Sequence, residues 1–291
     1  MRKFDSNVLM IVLLALVGVC FLLCQILTIT ISSTGAILSA MLLFSIIVVI
    51  HAGKTLGARE LLVFFFIAYS IPLLYEYTNG LGFGGLVGCT CIYSDLLGPK
   101  FLGKVPYVIP LVWSILLYCS FTMTNIIFNR LRTTPESKED FSLQWFFKIV
   151  GMGIIAGLIM AALDLIIDPV MVAMGAWSWS YAGHYYGIPL WNFEGWIEIT
   201  AVTFVLYSIY LQIIKKSQIY IDGEKQSRYT LIVVALYITV LIIFGMYAIV
   251  EQVTDVIPWA AMTIGLFAVI VVIQFCRWYS KGGKKAFSSA E

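Results

Sequence analysis

Residues 6–53 read SNVLMIVLLALVGVCFLLCQILTITISSTGAILSAMLLFSIIVVIHAG and contain no Asp, Glu, Lys or Arg. As α-helix these 48 residues would run about 72 Å, against a hydrocarbon core of about 30 Å. Lipid offers the backbone no hydrogen-bond partner, so an apolar run of this kind must cross as helix. The length predicts two crossings, broken at the polar Ser32-Ser33-Thr34-Gly35. The first segment has no small-residue cleavage site and its apolar core is long for a signal peptide, so it reads as an anchor.

The rest of the chain repeats the pattern. Further spans are predicted near Glu60–Tyr75, Val105–Phe128, Trp145–Met171, Ile197–Ile214, Tyr229–Val250 and Pro258–Cys276, eight in all. Hydrophobic residues make up 61% and charged residues 12%, where soluble domains run about 45–50% and about 25%. Mean hydropathy is +0.95. These values exclude a soluble globule, a disordered chain and a nucleic-acid binder. The expected fold is all-α: residues 1–291 as one polytopic transmembrane helix bundle in the cell membrane, with both termini cytoplasmic.

Basic residues set the direction. With eight spans and an inside N-terminus, the inner segments hold 16 of the 18 Lys and Arg residues, and the outer ones keep only Lys100 and Lys104. That is the positive-inside distribution. The acids do not follow. Glu76, Asp95, Asp164, Asp168, Glu194, Glu198, Glu251 and Asp255 all fall in the outer half, almost without basic partners.

Depth along each helix follows from the distance to its inner charge. Lys148 to Asp164 and Glu60 to Glu76 are each 16 residues, and Glu198 to Lys215 is 17. Each spacing is about 24–25 Å. Glu76, Asp164 and Glu198 are therefore expected in one layer, with Asp168 and Glu194 about 6 Å further out. Asp164/Asp168 and Glu194/Glu198 are i,i+4 pairs, each on one helix face. An unpaired carboxylate at this depth costs at least about 2.5 kcal/mol. Facing carboxyls can instead share a proton. Glu251 and Asp255, beside a short loop, read more simply as helix-end acids.

Two outer loops, 76–106 and 168–196, stand out. The first carries five glycines between Gly80 and Gly88, which permit close backbone approach. It lacks the Lys-Ser/Thr ending of a phosphate loop. The second contains WSWSYAGHYYGIPLWNFEGW over Trp177–Trp196, eight aromatic residues in 20. Such a segment suits an interfacial belt, or the mouth of a pocket that shields a cation or a polyene. His184 reads as a hydrogen-bonding loop residue, and Cys89 and Cys91 as bystanders. Two histidines and six scattered cysteines predict neither a metal site nor a disulfide framework.

The segment from Glu76 through Tyr93, Val105-Pro106 and Trp113 resembles the first signature of the carotenoid biosynthesis membrane-protein family. Asp168-Pro169, Trp177-Ser-Trp179, Tyr185-Tyr186-Gly187-Ile-Pro189, Asn192-Phe193 and Gly195-Trp196 resemble its second. That family includes carotenoid 1,2-hydratases and the bisanhydrobacterioruberin hydratase type. The likeness covers about residues 60–215. It implies hydration of a terminal carbon–carbon double bond on an acyclic carotenoid. It also implies a lipophilic carotenoid substrate and water as partners, lipid as surroundings, and association with other carotenoid enzymes.

Adding water to such an alkene needs a positioned acid, a surround that tolerates a tertiary carbocation, and a base for water. Asp168, Asp164, Glu194, Glu76 and Glu198 are the candidate catalytic carboxyls. Trp177, Trp179, Tyr185, Tyr186, Trp191, Asn192, Phe193, Trp196 and Tyr93 are the candidate substrate-binding residues. No cofactor is expected. The competing readings are an intramembrane prenyltransferase, a carotenoid cyclase and a proton-coupled transporter.

Overall fold

The computed structural model describes residues 33–78, 90–132, 136, 139–220 and 231–280. Seven α-helices fall within them: α1 Ser33–Thr55, α2 Ala58–Thr78, α3 Val108–Ile127, α4 Leu143–Ala173, α5 Leu190–Ile213, α6 Ile232–Val250 and α7 Val256–Trp278. All but α1 are, within the described residues, long and apolar enough to cross a membrane. The expected count of eight spans and the placement of the termini are thus not supported by the described residues. The first predicted span lies outside them, as do the glycines between Gly80 and Gly88.

Six short strands join the loops. β1 (Cys91–Tyr93) pairs antiparallel with β5 (Trp177–Trp179), and β2 (Lys100–Phe101) with β3 (Val105–Pro106). β4 (Leu131–Arg132) pairs in parallel with β6 (Ile219–Tyr220). The first pairing gathers the α2–α3 and α4–α5 connections at one end of the bundle. The third gathers the α3–α4 and α5–α6 connections at the other. The second end is basic and ionically tied: Arg130 reaches Glu139 at 2.6 Å, Lys148 reaches it at 3.2 Å, and Lys216 meets Glu60 at 2.8 Å.

α3 is the central helix, with sixteen of its twenty residues buried. Its polar side chains face protein rather than lipid. Ser120 Oγ donates to the Ala156 carbonyl on α4 at 2.6 Å. Tyr118 Oη lies 2.6 Å from both His51 Nδ1 and Thr55 Oγ1, docking α1. Helices in lipid gain little from the hydrophobic effect on meeting each other, so close backbone approach takes over. Gly157 shows this between α4 and α5. A Cβ there would stand 2.7 Å from the Ile197 Cα and carbonyl oxygen. That contact sets the register in which α5 presents Asn192 to α4.

Two of the boundaries bear on the site. α4 passes through Pro169, as the predicted Trp145–Met171 span does, and ends two residues later, at Ala173. Proline cannot bond the Leu165 carbonyl, and that carbonyl instead accepts from Tyr185 Oη at 2.7 Å. α5 begins at Leu190, seven residues before the predicted Ile197, so Asn192 and Glu194 are helical.

Candidate active site

The site forms where α2, α3, α4 and α5 approach the paired strands. Asp164 and Asp168 share one face of α4, four residues apart, and are 0% and 3% exposed. Asn192, in the first turn of α5, bridges them. Its Nδ2 donates to Asp164 Oδ2 at 2.5 Å and to Asp168 Oδ2 at 2.6 Å. The two acceptor atoms therefore lie within about 5 Å of each other. Asp164 Oδ1 is buried and meets no donor among the described residues.

Glu76, in the last turn of α2, opens on the same space as Asp168. Its Oε2 accepts from Tyr93 Oη at 2.8 Å. Burial, then the Cys91 thiol, then Glu76 itself hold the Tyr93 phenol well above its ordinary range, so it stays a donor. The Cys91 thiol is likewise pushed up, by burial and then by Glu76 and Asp168, and so remains protonated.

The β1–β5 pair roofs the cavity. Cys91 faces Trp179 and Tyr93 faces Trp177 across the ladder. The period-two pleat turns these four side chains inward and leaves Ile92 and Ser178 exposed. Below the roof lies a space of about 810 Å³, including its open mouth. Its polar rim is Glu76, Asp168 and Asn192. Trp113 and Trp196 form one wall, with ring centroids 4.2 Å apart. Met41, Leu116, Val240 and Phe244 form its apolar depth. Among the described lining residues there is no Lys, Arg or His.

Several expected residues lie elsewhere. Glu194 and Glu198 do not line the cavity, and Glu198 Oε1 instead accepts from Tyr75 Oη at 3.1 Å. Trp191 is 38% exposed. Tyr185, Tyr186 and Phe193 cluster beside α4, with ring centroids 5.1 and 5.6 Å apart. In the loop that carries them, Gly183 donates to the Gly187 carbonyl, and a Cβ on Gly183 would stand 2.0 Å from the Ile188 oxygen. His184 is exposed. Conversely, Cys91, expected to be a bystander, lines the cavity, as does Trp113. In the sequence Trp113 stands out only as the last residue of the first signature, seven residues past the loop.

Tyr185 works through the backbone. Its phenol is pushed up to about 12 by burial, then by Tyr186, so it remains a donor to the Leu165 carbonyl. Tyr185→Phe is expected to leave that carbonyl unpaired one turn before Pro169, lowering stability by about 1–3 kcal/mol. Thermal inactivation of the detergent-solubilised protein measures this. An unchanged midpoint means that another donor serves.

The fold and the site define a multi-pass membrane protein with a carboxyl cluster sunk in an apolar, indole-walled cavity. The chain belongs to the carotenoid biosynthesis protein family, whose family model matches residues 36–272. Its role therefore lies in carotenoid biosynthesis, with a carotenoid-related substrate. No curated protein and no solved structure matches the chain.

Proposed function

We propose that this protein is a carotenoid hydratase, adding water to the terminal double bond of an acyclic carotenoid. The carrying observation is the Asp164–Asn192–Asp168 bridge, which opens with Glu76 onto a cavity with no cation among its described lining residues. Two carboxyls bridged by one amide and without a cation favour a state that holds one proton between them. That proton is the acid the reaction needs.

In this reading Asp168, which reaches the cavity, places the proton on the terminal alkene and a C–H bond forms. The resulting tertiary cation lies against indole faces, each contributing about 0.5–2 kcal/mol. Water oxygen closes the C–O bond, and its released proton returns to the aspartates, directly or by way of Glu76. The balance is one alkene and one water in, one tertiary alcohol out, with the carboxyls restored. A prenyl diphosphate would instead call for basic side chains, which the described lining residues do not offer. In this reading the roof faces the outer side; what supports this is that Lys54, Arg59, Arg130, Lys148, Lys215, Lys216 and Arg277 mark helix ends at the opposite one.

The test is expression in cells that make lycopene or a longer acyclic carotenoid, with growth in ¹⁸O-labelled water. The expected product gains one labelled water per modified end. A product of unchanged mass with a ring indicates a cyclase, and unchanged pigment with the protein present overturns the reading.

A further inference from the structure

Glu198 is a carboxylate at membrane depth that the cavity does not use. Its partner Tyr75 precedes Glu76, and the run Tyr75-Glu76-Tyr77 ends α2 in a three-way anchorage. Tyr75 is held by Glu198 on α5 at 3.1 Å. Glu76 is held by Tyr93 on β1 at 2.8 Å. The Tyr77 ring packs edge-on against Phe101 of β2 with centroids 5.7 Å apart, and Lys104 Nζ lies 4.8 Å above it. One turn earlier, Pro72 lies inside the continuous helix and lacks the N–H that would bond the Ala68 carbonyl. With one rung of the ladder missing there, these side-chain contacts add to what holds the last turn.

We infer that Glu198 is a positioning residue: through Tyr75 it fixes the rotation of the last turn of α2 and so the place of the Glu76 carboxyl in the cavity. Successive helical residues project about 100° apart. With Tyr75 tied toward α5, Glu76 has one direction left, toward Asp168. A shift of about 1 Å in a reacting group can cost about 10²-fold in rate. The consequence for rate rests on the hydratase reading, whereas the consequence for geometry does not.

Tyr75→Phe and Glu198→Ala are each expected to lower kcat about tenfold with little change in KM. The double variant should fall no further. Glu198→Gln keeps an oxygen for the Tyr75 hydroxyl and should restore most of the rate. If Glu198→Gln is as poor as Glu198→Ala, or the double variant loses the product of the two single effects, the inference is overturned. A second measurement needs no pigment chemistry. Membranes holding the full chain are treated with dicyclohexylcarbodiimide, which attaches to carboxyls in apolar surroundings, and label on the Glu76 peptide is followed by mass. The labelling rate should change several-fold in Tyr75→Phe and Glu198→Ala but not in Glu198→Gln. Equal rates in all variants overturn the positioning role. Altered rates in a protein that leaves pigment unchanged overturn the hydratase reading alone.

Discussion

Asp168→Asn is expected to lower conversion of an acyclic carotenoid by about 10²–10⁴-fold, the range for removing a positioned general acid. The side chain keeps its shape, and its amide oxygen can still accept from Asn192. Folding and membrane insertion should therefore survive, and the loss is one of proton supply. Asp164→Asn is expected to lose less, about tenfold, because Asp164 sits behind the cavity and reaches it through the bridge. Initial rates of product formation, normalised to protein in the membrane, measure both. Near-wild-type turnover in Asp168→Asn removes this residue as the donor and shifts the role to Glu76.

The second large effect is expected at Asn192. One amide nitrogen serves two buried carboxyls, and a hydrogen bond to a charged group contributes about 1.5–3 kcal/mol. Asn192→Leu removes both bonds at similar volume. Asn192→Asp keeps the shape but, when ionised, offers no donor and adds a third negative group. Both variants are expected to fall about 100-fold in turnover and to inactivate at lower temperature. A decline in Asn192→Leu with full activity in Asn192→Asp shows that a polar group of that shape suffices there and the shared N–H is not needed.

The sequence reading set Asn192 among the substrate-binding residues, and in the structure its amide bridges the two aspartates. Glu198 met the depth criterion and still faces Tyr75 instead of the cavity. Depth is a translation along the helix axis, and 1.5 Å per residue makes it readable. Whether a carboxyl at that depth faces a cavity or a neighbouring helix depends on rotation about the axis. In a soluble helix the apolar stripe gives that angle. Helices α2, α4 and α5 are apolar on nearly every side, because lipid and protein neighbours are equally greasy, so their sequences carry little rotational signal.

The roof shows the same division. Each signature loop was conspicuous for its glycines or aromatic residues, yet β1 and β5 begin 86 residues apart, and nothing local to either fixes the Cys91–Trp179 register. Cys91 and Trp113 gained their places only when that ladder closed over α3. Val240 and Phe244 come from a helix whose sequence offers only hydrophobicity. The sequence by itself determined that this protein crosses the membrane repeatedly, where the basic face lies, and which acids reach a common depth. Only the tertiary structure decided which of them meet, because helix rotation and strand register are set by contacts between segments far apart in the chain.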